Sequence, residues 1–508
     1  MFGTKKWRLY YPELKLILES IESGKLKWPL PPVNTTSAYY SHLVVNKKQN
    51  YVVGDKLVMT IIAKDGNGKR KTHGGDYFFA RLIHAESRNK PYQDGIACDI
   101  EDHGDGTYSV SAPLLIPGTS SLFIDLVHPS EAVVALVLEA SGTSGSGIYF
   151  VATYPSSEEV VCNVSLSQSS PIKVCNFSQP TKGFSWFCDY PKKSSHCPKV
   201  LNYTKVSYKE SDVFLLGKQS YFKQNSNWKI PIQGSGFSVD VLDSSFMIDY
   251  VKSLPECSVP VGMSQLAYDR NLGRHSGLYL NDKWQSLQCN NKITMYKQWT
   301  CLRNKALYLI GDSTMRQWYE QFETILNLNT STKLLDHPEI WQKSRNGTNA
   351  EHNITVYYRS HGLPLHNPGP AESHPFIVDT LNNIPATSEP STIIVINFAL
   401  HFCLIDPKFY LYRVQAVKRS VISLMERSPG VKVFIRGCIR HRNTRKVVPT
   451  EWYSFRLCKI LRAEFAEVPG VGFIDTWQMT TVRTNHINIH PDVEIVADQI
   501  NLFLSYVC

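Results

Sequence analysis

Lys305-Ala306-Leu307-Tyr308-Leu309-Ile310-Gly311-Asp312-Ser313-Thr314-Met315-Arg316-Gln317-Trp318-Tyr319 opens on an apolar run, breaks at Gly-Asp-Ser and resumes with apolar residues at helical spacing. The run predicts a short buried strand, the triplet a tight turn, and the remainder an amphipathic helix continuing through Phe322 and Ile325. A serine at such a corner carries its hydroxyl above the sheet edge, and the first N–H groups of the helix point at whatever that oxygen attacks. Ser313 is therefore placed as a nucleophile. The competing reading makes it a simple helix cap, a position that favours Asp and Ser alike.

Downstream, strands and helices alternate. Strands are expected at Ile354–Arg359, Thr392–Asn397, Val431–Ile435 and Val471–Asp475, and helices near Tyr412–Arg427, Trp452–Phe465 and Val493–Tyr506. This order predicts a parallel sheet with helices on both faces and active residues in the loops at strand C-terminal ends. Gly362, in Arg359-Ser360-His361-Gly362, and Asn397, in Asn397-Phe398-Ala399-Leu400-His401, stand where oxyanion donors belong. His490, in Ile487-Asn488-Ile489-His490-Pro491, stands where a base belongs. The plainer alternatives are that Asn397, His361 and His401 tie loops to the sheet and that His490-Pro491 starts a helix. Among His361, His366, His374 and His401 no pair has i, i+4 spacing and three lie among prolines, so no metal is expected.

Upstream the pattern changes. Residues 1–36 read as a leader helix and linker. Residues 37–155 read as period-two strands, among them Lys56–Ala63, Tyr77–His84, Tyr108–Ala112, Ser121–Val127 and Val133–Leu138, which predict an antiparallel β-sandwich. Residues 156–260, rich in Cys, Ser, Asn and Lys, read as a disulfide-dependent linking module. Its Phe184–Tyr190 cluster is taken as a small local core rather than a sugar platform. Residues 261–508 hold the alternating region, making the chain a multidomain α+β protein.

A chain of 508 residues, 43% of them hydrophobic, has enough for several cores. The net charge of +10 is spread without a dense basic block, which argues against a nucleic-acid partner. The 12 cysteines form an even set without tandem CxxC pairs and predict disulfides rather than zinc. Glycosylation sequons at Asn34, Asn163, Asn176, Asn202, Asn329, Asn346 and Asn353 point to the same oxidising compartment. Against this, Met1–Leu18 lacks the apolar core of a signal peptide or anchor, so a signal or anchor is expected to be absent from this sequence through truncation or an alternative start. No apolar run reaches membrane-spanning length; the best, Thr392–Ile405, reads as a buried strand and its exit.

Asp102-His103-Gly104-Asp105-Gly106-Thr107-Tyr108-Ser109-Val110 resembles the D-x-G-D-G-T-Y-x-V signature of filamin-type immunoglobulin-like repeats, and it lacks the closing Glu of a calcium-binding EF-hand. Tyr308–Trp318, Asp475–Thr480, His490-Pro491-Asp492 and Asp498–Cys508 resemble a PC-esterase domain, whose order of Ser, Gly, Asn and His is that of SGNH-type hydrolases. With Val127-His128-Pro129-Ser130-Glu131, which matches the neurexophilin-like half, the chain after about residue 30 resembles the neurexophilin and PC-esterase domain family. The resemblance implies an N-terminal immunoglobulin/filamin-like β-sandwich, a cysteine-rich linker and a C-terminal SGNH-hydrolase-like three-layer domain. It also implies a Golgi-luminal or secreted glycoprotein, with Ser313 as nucleophile, His490 as base, and Gly362 and Asn397 as oxyanion donors. Where such enzymes place an Asp three residues before the histidine stands Ile487, and Gln478 replaces the acid of the D-x-W-[DE]-M-T motif. Asp475 is then preferred to Asp492 as the group orienting His490. The activity implied is O-acetyl transfer to hydroxyls of a glycan or glycoprotein acceptor, sialic acid of mucin-type glycoproteins foremost, with acetyl-CoA as donor and no bound cofactor. The alternatives are a carbohydrate acetylesterase and a non-catalytic secreted ligand that meets a cell-surface protein through its β-sandwich.

Overall fold

The computed structural model describes residues 14–45, 50–89, 92–140, 149–165, 173–207, 221, 230–257, 275–291, 295–330, 343–365, 369–373, 375–389, 391–403, 405–440, 450–483 and 489–508. The Gly-Asp-Ser corner lies in a seven-stranded sheet. Its parallel strands are β1 (Ala306–Gly311), β2 (Ile354–Arg359), β3 (Thr392–Asn397), β4 (Lys432–Arg436) and β5 (Val471–Ile474), in spatial order 2-1-3-4-5. Arg345–Asn349 and Asn329–Thr330 extend the sheet antiparallel beyond β2. Because β1 sits between β2 and β3, chain direction diverges there, and the loops leaving β1 and β3 bound a crevice at the strand C-terminal ends.

The helices around this sheet are α1 (Ser313–Ile325), α2 (Pro407–Arg427), α3 (Thr450–Phe465), α4 (Trp477–Val482) and α5 (Val493–Val507). Strand alternation assigns them to faces. Leu307 and Leu309 of β1 join Ile393, Val395 and Phe434 in one core with Met315, Trp318 and Phe322 of α1 and Phe503 of α5. Ile310, Ile394, Ile396, Val433 and Ile435 join the opposite core, with Tyr410 and Val414 of α2 and Leu457 and Leu461 of α3. The expected helix boundaries are close. The largest shift is α2, which begins at Pro407 because Asp406 accepts the Lys408 N–H at 3.0 Å and proline suits the first helical position. Cys301–Cys508 ties the approach to β1 to the chain end.

Two further sheets build the sandwich. Strands His42–Val44, Lys56–Ile62, Thr107–Pro113 and Asp99–Asp102 form one layer. An eight-stranded sheet, with Tyr77–His84 and Gly118–His128 at its centre, forms the other. Leu57, Met59, Ile61, Tyr108 and Val110 meet Phe78, Leu82, Leu122 and Ile124 between them. In the Gly104–Tyr108 turn, Gly104 and Gly106 take φ of +76° and +85°, and Tyr108 packs inward as its turn predicts.

Three expectations need correction. Ser130–Ala140 is a helix, not a strand through Val133–Leu138: Ala132–Val137 are apolar and buried without a break, and such a run has no diagnostic period. The linear borders at 155/156 and 260/261 do not follow the sheets. Phe237–Leu242 and Gly277–Leu280 pair within the sandwich, and Gly369–Pro370 completes the sheet of the cysteine-rich region. Finally, the even cysteine set is not wholly paired. The bonds Cys162–Cys188, Cys175–Cys197, Cys257–Cys289 and Cys301–Cys508 leave Cys98, Cys403, Cys438 and Cys458 as thiols. The Phe184–Trp186 cluster is indeed a buried local core around Cys162–Cys188, continuous with the core under α2. Among the described residues no helix is long and apolar enough to cross a membrane.

Candidate active site

β1 ends at Gly311, where an added Cβ would stand 1.8 Å from the Asn397 carbonyl oxygen, so only glycine lets β1 and β3 approach this closely. Asp312 caps α1: its Oδ1 accepts the Thr314 N–H at 2.9 Å and the Thr314 hydroxyl at 2.6 Å, and its Oδ2 accepts the Leu400 N–H at 3.4 Å. The cap is thus Asp312, which leaves Ser313 as the first helical residue. Its N–H has no partner within the helix. Ser313 is 6% exposed, and its Oγ lies 2.8 Å from Nε2 of His490.

α1 itself holds the histidine segment. Gln317 donates to the Pro491 carbonyl at 2.8 Å and Gln321 to the Val493 carbonyl at 3.2 Å, one helical turn apart on the same face. Burial, reinforced by the Arg316 charge, pushes the His490 imidazole below its usual pKa, while Asp312 pulls it upward. A histidine so tuned is neutral at neutral pH and able to take a proton from Ser313. Arg316 lies beside Glu320, whose carboxylate is 3.0 Å from its Nε and 3.4 Å from Arg345.

The loops after β2 and β3 meet through His361 Nε2 and His401 Nδ1, 2.9 Å apart. Burial, with His490 and Arg316 nearby, pushes His401 down to about 3. Arg413 of α2 fixes the first loop, donating to the carbonyls of His361 at 3.3 Å and Leu363 at 2.9 Å. Gly362, between them, takes φ +77° with Phe376 against it.

Ser313 and His490 are brought together; Asp475 is not brought to them. Its Oδ1 accepts the Trp477 N–H at 3.0 Å, and it lines a cavity of about 490 Å³ between sandwich and sheet, with Tyr77, Phe455 and Trp477. The physical reason is its strand: β5 is the sheet edge, three strands from β1. The charges acting on His490 are Arg316 and Asp312. Asp492 precedes α5 without a side-chain cap bond, and Ile487 lies outside the described residues. Gln478 binds Ser276 instead, its Oε1 accepting both N–H and hydroxyl. Asn397 is also reassigned. Its amide donates to the carbonyls of Arg436 at 2.8 Å and Gly437 at 3.1 Å, so it braces β3 against the β4 exit rather than offering hydrogens to an oxyanion. His366 and His374 lie outside the described residues.

Among the glycosylation candidates, Asn176, Asn329, Asn346 and Asn353 are exposed and Asn34 and Asn202 half-buried. Asn163 is buried, with its Oδ1 on the Val164 N–H at 2.7 Å, a poor acceptor once folded. Sequence reading missed Arg316, Gln317 and the His401–His361 pair as parts of the site. Gln317 was findable, since it lies one turn from Ser313 on the same helical face.

Two family models match the chain: "NXPE family member 4-like, C-terminal domain" over residues 284–508 and "Neurexophilin" over residues 18–216. Three solved structures show weak likeness. The Lin-41 filamin domain is 16% identical, covering 18% of this chain and 80% of its own, at a TM-score of 0.15. The Escherichia coli adhesin FdeC is 11% identical, covering 41% and 66%, at 0.15. Invasin, titled a bacterial integrin-binding protein, is 10% identical, covering 64% and 59%, at 0.14. Scores this low carry no argument about the fold. With a neurexophilin match in its first half, an NXPE C-terminal match in its second, and Ser313 facing His490 inside the latter, the chain belongs to the NXPE family.

Proposed function

We propose that this chain is an O-acetyltransferase of the SGNH type acting on glycan hydroxyls, with sialic acid of mucin-type glycoproteins as the preferred acceptor and acetyl-CoA as the donor. The observation that carries the reading is the 2.8 Å contact of Ser313 Oγ with His490 Nε2 at the start of α1, where the strand order reverses. His490 takes the Ser313 proton as Oγ bonds to the acetyl carbonyl carbon. The carbon–sulfur bond then breaks, and His490 returns the proton to the departing thiolate. A sugar hydroxyl repeats the sequence in reverse, losing its proton to His490 and leaving with the acetyl group. The Ser313 N–H, with Gly362 on the adjoining loop, is the donor set for the oxyanion. Water in place of the sugar makes the same site a carbohydrate acetylesterase.

The sandwich, by this reading, is immunoglobulin/filamin-like and holds the acceptor-bearing partner. Four disulfides and exposed sequons support a secretory lumen, Golgi or beyond. The test incubates the chain and its Ser313→Ala variant with acetyl-CoA and a sialylated glycoprotein, then reads O-acetylated product by mass spectrometry. Equal product from both folded proteins, or none from either, sinks the transferase reading; the second outcome favours the non-catalytic ligand.

A further inference from the structure

Two of the four remaining thiols are neighbours. Cys458, on α3, lies with its Sγ 3.1 Å from the backbone nitrogen of Cys438, which donates to it. Cys438 follows Arg436-Gly437 at the exit of β4 and is buried to 1% exposure. Cys458 is only partly buried and lines the cavity between sandwich and sheet. Cys403, in the loop after β3, is near enough to act on Cys438, but only Cys458 makes a hydrogen bond with the Cys438 backbone, and Cys98 belongs to the sandwich wall of that same cavity.

We propose that Cys438 and Cys458 form a dithiol that closes to a fifth disulfide by exchange with a luminal disulfide, entering at Cys458 through the cavity. The Cys458 thiolate attacks one sulfur of the incoming disulfide and expels its partner as a thiolate. Cys438 then gives up its proton and attacks the Cys458 sulfur, expelling the second thiolate. Two protein thiols are oxidised and one small disulfide is reduced to two thiols. The direction of attack follows from exposure: Cys458 faces the cavity, whereas burial raises the Cys438 thiol well above its usual pKa and keeps it out of solvent.

The bond would act on the acyl site through its scaffold. The carbonyls of Arg436 and Gly437 hold the Asn397 amide, the Thr476 hydroxyl bonds the carbonyls of Gly437 and Cys438, and the Arg436 guanidinium reaches Thr314 in the first turn of α1. A Cys438–Cys458 bond fastens this junction to α3. It is a modification of the site's support, independent of whether Ser313 transfers acetyl.

The test uses the full chain equilibrated in glutathione buffers of increasing oxidised fraction, quenched with N-ethylmaleimide, denatured without reductant and digested with trypsin. The expected product joins peptides 437–440 and 457–459, while Cys98 and Cys403 carry the alkyl group, so alkylated sites fall from four to two. Alkylation of both Cys438 and Cys458 wherever the other four bonds are closed overturns the proposal. So does a Cys98–Cys458 link.

Discussion

The buried charges where the sandwich meets helix Ser130–Ala140 and those around Ser313 are both polar islands in apolar cores, but only the first is closed. Glu131 receives Lys71 and His73 on one oxygen and the Thr36 N–H and Ser130 hydroxyl on the other. Asp76 accepts the Ser130 N–H at 2.7 Å and the Tyr108 hydroxyl at 2.9 Å. All four carboxylate oxygens are engaged. Burial alone would raise Glu131, yet His73 and Lys71 hold it down to about 2. Around Ser313 the balance differs: the serine and His490 have each other, and among the described residues the imidazole makes that one hydrogen bond. A cluster with every valence filled fixes a fold, whereas one that leaves a hydroxyl–imidazole pair uncommitted is equipped for proton transfer.

The contrast breaks most cleanly at its two centres. Ser313→Ala should lower acetyl transfer by about 10⁶-fold while leaving the urea midpoint unchanged, since it deletes one partly uncommitted hydroxyl. Glu131→Ala should do the reverse, costing about 3–5 kcal/mol of stability because Lys71 is left buried without its partner, with activity per folded molecule retained. If the serine variant unfolds or the glutamate variant loses turnover while folded, the two clusters are not divided as described.

His401 tests the acidic side. It titrates near 3 when folded and near 6.5 in the unfolded chain, so below pH 6.5 the unfolded state binds the extra proton and stability falls with pH. At pH 5 this amounts to about 2 kcal/mol, present at neutral pH and lost on acidification. His401→Asn should flatten that part of the stability–pH curve; an unchanged slope in urea titrations between pH 7 and 5 contradicts the assignment. A smaller effect is due at Arg316, whose charge helps hold His490 down. Arg316→Met lets the imidazole protonate more readily, so the acid limb of the kcat/KM profile should move to higher pH. A limb that stays or moves lower refutes the electrostatic role.

Much of this was legible in the chain because strand–turn–helix corners are local. Gly311-Asp312-Ser313 and the helix after it needed only alternation and spacing, and His490 stood out as the late imidazole beside a terminal helix. What escaped was set by distant partners. Val133–Leu138 looked like a strand since the uninterrupted apolar, buried run Ala132–Val137 shows no polar face. Asn397 looked like an oxyanion donor since nothing local reveals the Arg436 and Gly437 carbonyls that claim its hydrogens. Two flanking strands were assigned to the wrong unit because sheet pairing between residues more than a hundred positions apart leaves no local trace.

Asp475 is the sharpest of these and gives the smallest predicted change. Its place just after a strand suggested a carboxylate for His490, but β5 is the edge of the sheet and its carboxylate is turned to the Trp477 N–H beside the interdomain cavity. Asp475→Asn keeps an oxygen that can accept that N–H and removes a charge that does not act on His490. Acetyl transfer should therefore stay within about twofold of wild type, against the roughly 10⁴-fold loss that follows when a true triad carboxylate is replaced by its amide. Asp312→Asn is the matching control, because Asp312 is the carboxylate that acts on His490, and its loss should lower the imidazole further and reduce turnover. A collapse of activity in Asp475→Asn with Asp312→Asn unaffected would invert the assignment and move the orienting acid to the sheet edge. The expected pattern leaves a Ser–His dyad steadied by Asp312 and by the grip of Gln317 and Gln321 on the segment that carries the base.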